Sequence, residues 1–230
     1  MARACRGSGY VRFDFKFALE ILPLLMKGAA MTVLVTFLAF ALAIVGGLIL
    51  ALLRRAHRNL DRALRLPIEF IRSTPLLVQI LFIYLGFPTV GIVLTAFQTG
   101  VLAMALHYSC YLSEIYRAGL EGVQRGQWDA ATALNFNTLD RYRAIILPQM
   151  VPLVVPAAGN LLVYMFKDSP LLAAISLVEL VFVASKIGAE SFRYLEPMTL
   201  VGAIFLVMGL ATARFVALLE GRLGATWIKR

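Results

Sequence analysis

Long runs without charge constrain this chain more than any other feature. Residues 28–53, 73–113 and 144–166 contain no Asp, Glu, Lys or Arg. A helix needs about 20 apolar residues to cross the hydrocarbon core of a bilayer, so these runs predict one, two and one spans in turn. A water-soluble fold is excluded because 60% of the 230 residues are apolar and only 15% are charged, against about a quarter charged in soluble domains.

The C-terminal third predicts one more span and a shorter apolar piece. Residues 197–213 lead into the apolar segment 215–219, which together form the fifth span. Residues 169–185 are apolar apart from Glu179 and are short for a span, which favours a re-entrant or interfacial segment. Glu179 fits either a gate residue or an interfacial charge. The predicted fold class is an all-α membrane protein with five transmembrane helices.

The charge pattern predicts an orientation. The net charge is +9, and the basic residues gather between the apolar runs, as they do in cytoplasmic loops, so nucleic-acid binding is not expected. Residues 54–72 hold six basic and two acidic residues, which places this loop, the polar loop 114–143 and the C-terminus in the cytoplasm. The N-terminus then lies outside, although its head carries Arg3, Arg6 and Arg12.

These boundaries predict a simple division of the chain. An N-terminal segment covers residues 1–27, a transmembrane domain covers 28–219, and a cytoplasmic tail with Arg222, Lys229 and Arg230 covers 220–230. A cleavable signal peptide is not expected, because Glu20 interrupts the first apolar stretch and no cleavage site follows at the right distance. Cys5 and Cys110 provide neither a disulfide framework nor a metal site.

The loop between the third and fourth spans has the chemistry of an ordered helix. Residues 126–149 read GQWDAATALNFNTLDRYRAIILPQ. The alanines are strong helix formers, and Asp129 suits the positive end of a helix dipole. Asn135 and Asn137 can end such a helix. The large side chains Trp128, Leu134 and Phe136 are candidates to anchor in the groove of a partner.

This loop resembles the signature of the permease subunits of ABC importers. That signature is Glu-Ala-Ala, three residues, Gly, nine residues, Ile-x-Leu-Pro. Here Asp129-Ala130-Ala131, Asn135 and residues 145–148 (Ile-Ile-Leu-Pro) stand at the same spacing. Asp replaces Glu and keeps the charge with a shorter reach. Asn replaces Gly and tolerates the left-handed backbone that Gly would supply.

Other stretches extend the resemblance over roughly residues 20–220. Segments 71–79 (IRSTPLLVQ), 114–119 (EIYRAG) and 167–172 (KDSPLL) resemble the polar amino-acid branch of these permeases. Segment 192–202 (FRYLEPMTLVG) is similar to permeases for ectoine and hydroxyectoine.

The resemblance implies a permease of the type I ABC importer class in the bacterial inner membrane. It implies a second permease subunit, identical or related, together with ABC ATPase subunits and an extracytoplasmic solute-binding protein. The chain has no G-x-x-x-x-G-K-[ST] phosphate-binding loop, so ATP and Mg²⁺ belong to the partner ATPase. The chain itself is then no enzyme and binds no cofactor or metal. The implied cargo is a small polar amino acid or a zwitterionic compatible solute.

Two groups of residues carry this hypothesis. The loop at about 120–145, with the Leu-Pro that follows it, couples the permease to the ATPase, and transmitted motion then switches the path between inward and outward states. The coupling residues are Gly126, Gln127, Trp128, Asp129, Ala130, Ala131, Asn135, Phe136, Leu147 and Pro148.

The second group consists of the candidate residues of the solute path. Asn160, Tyr164 and Asp168 recur every four residues and share a helix face, where they offer hydrogen bonds, an aromatic ring and a carboxylate to a zwitterion. The alternative for Lys167 and Asp168 is an interfacial pair that ends the span. The remaining path candidates are Thr74, Gln79 and Ser169.

Several local features have structural interpretations. Glu114 and Arg117 are spaced to pair on one helix face, and Gly46-Gly47 favours close helix packing. Pro148, Pro152 and Pro156 are either tolerated in a membrane helix or mark a bent span that lines a path. His57 and His107 are assigned no role.

Two other classes of protein were weighed against the permease interpretation. An ion-gradient-driven secondary transporter would show an internal repeat and an embedded charge relay. A membrane enzyme would need a catalytic constellation at a membrane face. Neither feature is evident, and neither class explains the loop.

Overall fold

The computed structural model describes residues 13–227, with side chains as far as Gly221. The head residues Arg3, Cys5, Arg6 and Arg12, and the side chains of the tail residues Arg222, Lys229 and Arg230, lie outside this description. Every element in the described range is helical, which confirms the predicted all-α membrane fold.

The long helices are α1 (Phe15–Ala56), α2 (Arg58–Ser73), α4 (Ala96–Glu121), α7 (Leu147–Asp168) and α9 (Leu195–Trp227). The shorter elements are α3 (Leu76–Leu81), which continues in a π-helix (Phe82–Gly86) and a 3₁₀ helix (Phe87–Val90), then α5 (Arg125–Ala133), α6 (Thr138–Asp140), a second π-helix (Arg141–Ile146), a 3₁₀ helix (Ser169–Ile175) and α8 (Leu180–Ser191).

The described part of the chain contains three helical segments that are long and apolar enough to cross a membrane: Phe15–Ala56, Thr138–Ile175 and Leu195–Gly221. A fourth results if α2 and the segment Leu76–Val90, which meet at a bend of 103°, are counted together. The remaining predicted span is α4, whose 26 residues extend about 39 Å. Thirteen of them are buried, and these include the polar residues Thr99, His107, Ser109 and Ser113. The helix thus carries polar side chains inside the bundle.

The first helix begins earlier than the sequence predicts. Asp14 caps it by accepting hydrogen bonds from the backbone amides of Lys16 (3.0 Å) and Phe17 (3.2 Å). Residues 15–27 therefore belong to α1, although we assigned them to an N-terminal segment. Glu20 and Lys27 interrupt the apolar run without interrupting the helix, because both are exposed. At the other end, α9 continues past the predicted boundary at 219.

Close contact between α1 and α4 organises the core. A Cβ atom placed on Gly47 would lie 2.6 Å from the Cβ of Leu112 and 3.0 Å from the carbonyl oxygen of Ser109. The expectation that Gly46-Gly47 serves close packing is confirmed. The largest buried cluster surrounds this contact and joins α1, α3, α4, α7 and the 3₁₀ helix that follows α7.

Each end of the bundle has its own ionic cluster. At one end, Arg193 binds Glu196 (2.6 Å) and Asp14 (3.3 Å), which joins the starts of α1 and α9. Hydrogen bonds from the Phe17 amide and from Arg193 hold the pKa of Asp14 below its ordinary value. This carboxylate therefore stays charged, and the cluster stays intact, well into the acidic range.

At the opposite end, Arg54 of α1 binds Asp61 of α2 (2.8 Å) and Glu114 of α4. Glu114 also binds Arg117 (2.8 Å), which confirms the predicted pair, and Arg117 binds Glu121 (2.7 Å). Three helices are thus tied together where α1 turns into α2.

Glu179 is not an interfacial charge in this structure, and its role as a gate residue stays a prediction. Its side chain is fully buried and caps α8 by accepting hydrogen bonds from the amides of Val181 (2.9 Å) and Phe182 (2.7 Å). Because α8 begins inside the protein, its first amides have no water to bind, and a buried carboxylate supplies the acceptor.

The substitution Gly47→Val tests the contact between α1 and α4. The added side chain meets the backbone of Ser109, which cannot move aside, so we expect a loss of about 1–3 kcal/mol of stability and a lower midpoint in thermal denaturation of the purified complex. The matched control is Gly202→Val, because a Cβ atom at Gly202 meets nothing within 4 Å. Equal midpoints for the two variants would contradict this account of the packing.

Candidate functional site

The signature loop folds into the short helix α5, and Asn135 ends it. Asn135 has φ 55°, in the left-handed region. Its amide donates to the carbonyl of Thr132 (3.0 Å), and the amide of Phe136 donates to that of Ala131 (3.1 Å). These two bonds form a Schellman motif, in which the left-handed position is usually Gly. Asn135 thus fills the geometric role of the glycine in the signature.

Asn137 does not end α5. Its side chain accepts a hydrogen bond from the amide of Asp140 (2.8 Å) and caps the next helical turn, α6. An asparagine two residues past a helix end is as well suited to start the next helix as to end the last one, because its short side chain reaches the amide three residues ahead.

The inner face of α5 packs against its own chain. Ala131 has no exposed surface. Trp128, one turn earlier, is half-buried with its ring edge-to-face on Tyr142 (centroids 5.7 Å apart), and the guanidinium of Arg55 lies 5.0 Å from the Trp128 centroid. Because positions 128 and 131 share the inward face of the helix, Trp128 packs within its own chain here, and its role as an anchor in a partner's groove stays a prediction.

The outer face of α5 consists mostly of small and polar residues. The exposed positions of the helix are Arg125, Gly126, Gln127, Asp129, Ala130, Thr132 and Ala133, and Leu134, which follows the helix, is exposed too. Leu134 is 71% exposed, and a Cβ atom at Gly126 would meet nothing within 4 Å. Phe136 is half-buried. A partner surface can thus approach the helix closely along this side.

The end of the signature joins the loop to α7. Ile146 is fully buried and packs with Val123 and Met150. Leu147 is 43% exposed, and Pro148 lies in the first turn of α7, where a proline has no helical hydrogen bond to break. The helix continues through Pro152 and Pro156. The wide π-helical turns precede these prolines, at Arg141–Ile146.

Two of the six predicted path residues contact α4. Asp168 accepts a hydrogen bond from the Tyr108 hydroxyl (2.6 Å). The side-chain amide of Gln79 donates to the carbonyls of Ile71 (2.7 Å) and Thr74 (2.9 Å) and lies 3.1 Å from Nδ1 of His107. The carboxylate and the amide thus meet adjacent residues of one helix.

The side chains of the other four predicted path residues make no hydrogen bond to α4 in the part of the chain that the structure describes. Thr74 donates its hydroxyl hydrogen to Phe70 and buried Ser169 donates to Phe166, both to backbone carbonyls of their own segments. Asn160 and Tyr164 share a face with Asp168, as predicted, but are exposed on this single chain.

Three aromatic residues of α4 complete the cluster. The ring of His107 lies 5.2 Å from that of Tyr108 and 5.1 Å from that of Tyr111. The Tyr111 hydroxyl donates to the carbonyl of Arg72 (3.1 Å), and the Arg72 guanidinium lies 5.1 Å from the same ring. We call Gln79, His107, Tyr108, Tyr111 and Asp168 the α4 polar cluster.

The sequence interpretation set His107 aside and missed both tyrosines. The signal was present, because three polar aromatic residues stand at i, i+1 and i+4 within an uncharged run of 41 residues. Helical geometry places such residues on adjoining faces of one helix. Together with the carboxylate of Asp168 they form a polar cluster, in which His107 and Tyr108 are buried and Tyr111 is half-buried.

Residues 43–225 match the family described as the binding-protein-dependent transport system inner membrane component. The chain belongs to this family. It is 39% identical over 208 residues to the probable amino-acid ABC transporter permease protein y4tG of Sinorhizobium fredii, with 90% of each chain covered. It is 33% identical over 228 residues to the octopine transport system permease protein OccM of Rhizobium radiobacter, covering 95% of this chain and 92% of the relative.

A solved structure of an amino acid ABC transporter with histidines gives the same result in three dimensions. Its matching chain is 36% identical, with a TM-score of 0.86, covering 92% of this chain and all of the other. The MetNI methionine transporter shares the fold at 17% identity, with a TM-score of 0.72.

This protein is therefore a permease subunit of an ATP-driven amino-acid ABC importer and a multi-pass inner-membrane protein. It is not itself catalytic. Membership of the family implies an ATPase partner, which supplies the energy, and a solute-binding protein, which delivers the solute.

Proposed function

We propose that this permease carries a zwitterionic amino acid or a similar compatible solute past the α4 polar cluster. The observation that carries the proposal is the Tyr108–Asp168 hydrogen bond (2.6 Å), which holds a carboxylate inside a membrane bundle. Ionisable groups at membrane depth are costly and mark substrate paths. In the proposal, the half-buried Asp168 meets the cationic group of the solute, and the half-buried ring of Tyr111 contacts its remaining surface, while buried Tyr108 holds Asp168 in place.

The relatives support this substrate class. Among them are an octopine transport system permease and an arginine transport system permease. The solved relative is an amino acid ABC transporter with histidines. Ectoine or hydroxyectoine is the narrower proposal, supported by the resemblance of segment 192–202. Arg193 and Glu196 of that segment belong to the ionic cluster that joins the starts of α1 and α9. In the orientation proposed below, this cluster lies at the outer end of the path.

The proposed path predicts a specific effect of Asp168→Asn. The amide oxygen still accepts the Tyr108 hydrogen, so the fold is kept, but the negative charge is lost. Hydrogen bonds to charged groups contribute about 1.5–3 kcal/mol, so we expect uptake at limiting solute to fall roughly ten-fold or more. Radiolabelled arginine, histidine and ectoine, each with its cognate binding protein, provide the measurement in proteoliposomes.

The control for this charge change is Glu20→Gln, which neutralises an exposed carboxylate on α1. Uptake by the Asp168→Asn variant at the wild-type rate would contradict the proposed role of Asp168. Tyr108→Phe adds a second arm, because it removes the donor and leaves the charge in place.

We propose further that the ATPase docks on the outer face of α5. The support is geometric, since this face is exposed and built from small residues, while the inner face is anchored. Motion of α5 then reaches α1 through the contact of Trp128 with Arg55, and α7 through the buried contacts of Ile146. A second permease subunit, identical or related, completes the path in this proposal.

The docking proposal predicts different effects at neighbouring alanines. Ala130→Trp places bulk on the outer face, so we expect a folded permease that loses ATPase co-purification and solute-stimulated ATP hydrolysis. Overpacking costs about 1–3 kcal/mol, comparable with the coupling energy between allosteric sites. Ala131→Trp instead clashes within the permease and should lower its own stability.

The matched control is Ala41→Trp, at an exposed position in the middle of α1, which should leave both association and stability unchanged. Normal association and stimulated hydrolysis in Ala130→Trp would show that the ATPase docks elsewhere. Uptake that persists without any ATPase and follows an ion gradient would instead favour the secondary-transporter alternative.

We propose that the end holding Arg54, Glu114 and α5 faces the cytoplasm and that the N-terminus faces outward. The support is the grouping of the basic loop 54–72 and the signature loop at one end of the bundle. Single cysteines at Arg125 and Val90, both exposed, test the orientation after Cys5 and Cys110 are replaced by serine. An impermeant thiol reagent added outside should label position 90 only, and labelling at 125 would reverse the topology.

A further inference from the structure

The helix α2 has an unusual position in the fold. It lies at 103° to the segment Leu76–Val90 that follows it, and a single residue, Ile68, is buried. Ile68 and the ion pair from Asp61 to Arg54 hold one edge of α2 against the bundle. Asp61, Leu64, Ile71 and Arg72 are half-buried, and the remaining residues of this 16-residue helix are exposed.

One open edge of α2 is apolar. Leu66 is 78% exposed and Phe70 is 70% exposed. These residues are four positions apart, so they form one stripe along the helix. Leu60, at 38% exposed, continues the apolar side toward the start of α2.

A cationic stripe adjoins the apolar one toward the start of α2. Arg58, Arg62 and Arg65 are exposed and recur at intervals of four and three residues, and Arg62 precedes Leu66 by four, so the two stripes are neighbours on the same open side. Arg65 lines the same cleft as Asp61 and Glu69, whose carboxylates are paired with Arg54 and Arg72. Among the described residues, none of the three arginines of the stripe takes part in an ion pair.

We propose that α2 lies in the membrane interface and that Arg58, Arg62 and Arg65 bind the headgroups of anionic phospholipids. The apolar stripe then enters the acyl region beside the headgroups. A helix with a strongly charged face, an apolar face and its axis across the neighbouring span has the properties of an interfacial helix. The headgroups of anionic lipids supply the negative charge that the cationic stripe lacks within the described chain.

This site is linked to the transport machinery. Asp61 joins α2 to Arg54, and Arg54 joins Glu114 of α4. The proposed orientation places this site in the cytoplasmic leaflet. The insertion of Phe70 and the binding of anionic headgroups do not depend on that orientation. Bound lipid thus holds α2 at the point where α1, α2 and α4 meet.

The first arm of the test measures depth. A nitroxide on Phe70→Cys, in the complete importer with its other accessible cysteines replaced, is examined in nanodiscs of phosphatidylcholine mixed with phosphatidylglycerol. We expect the nitroxide to be reached by oxygen and shielded from a water-soluble nickel chelate. The matched position is Leu139→Cys on α6, which is 73% exposed and lies off the proposed docking face, so it should show the opposite. A nitroxide at position 70 that is open to the chelate, or hidden from both probes by a second permease subunit, would overturn the proposal.

The second arm measures lipid preference. Native mass spectrometry of the complex extracted from the same mixture compares wild type with the triple variant Arg58→Gln, Arg62→Gln, Arg65→Gln. At roughly five-fold per arginine near a surface, we expect phosphatidylglycerol enrichment to fall at least about ten-fold. Lysine at the three positions should restore it, since the interaction is one of charge.

The matched control neutralises the exposed cations Lys16, Lys186 and Arg214 instead and should retain the enrichment. Unchanged enrichment in the α2 triple variant would overturn the proposal. If the triple variant instead lost the ATPase in detergent while its lipid enrichment was unchanged, α2 would be a protein-docking face, and the proposal would also be overturned. Ala130→Trp should keep the enrichment even where coupling is lost, so failure of the docking proposal is distinguishable.

Discussion

The approach of α1 to α4 at Gly47 is the contact on which most of this structure depends. Because the glycine has no side chain, the backbones of the two helices meet, with Ser109 and Leu112 filling the space a larger residue would need. Arg54 of α1 binds Glu114 of α4 at one end of the same helix pair. Tyr108 of α4 also binds Asp168 of α7, so α4 takes part in both the ionic network and the polar cluster.

Most polar side chains inside the bundle have partners within the protein, since lipid offers no hydrogen bonds, although the buried hydroxyls of Thr36 and Thr99 have none among the described residues. Glu179 shows the principle at a helix start, where its carboxylate replaces the water that would bind the first amides of α8. Asp168 and Gln79 show it at the cluster, and Thr74 and Ser169 show it locally through their own backbones. Asp168 and Gln79 differ from Thr74 and Ser169 because each of them meets a side chain of another helix. Asp168 and Gln79 belong to the cluster that carries the proposed function.

Sequence reasoning performed best where a single segment decides its own structure. The spacing from Asp129 to Pro148 predicted a short helix with a left-handed residue at Asn135, and φ 55° at that position agrees. The pairing of Glu114 with Arg117 follows from helical spacing and was correct. The sequence did not predict the start of α1, because exposed charges such as Glu20 and Lys27 do not end a helix. It also did not predict the role of Asn137, because asparagine can cap either end of a helix.

The sequence by itself determined the membrane class, the all-helical fold and the family, because uncharged runs and motif spacing are properties of contiguous residues. Tertiary structure alone decided that Ala131 and Trp128 face inward, that Tyr108 meets Asp168 across 60 positions, and that Glu179 is a cap. These outcomes depend on which helix lies beside which. Helical periodicity specifies the residues that share a face, but only packing specifies what that face contacts.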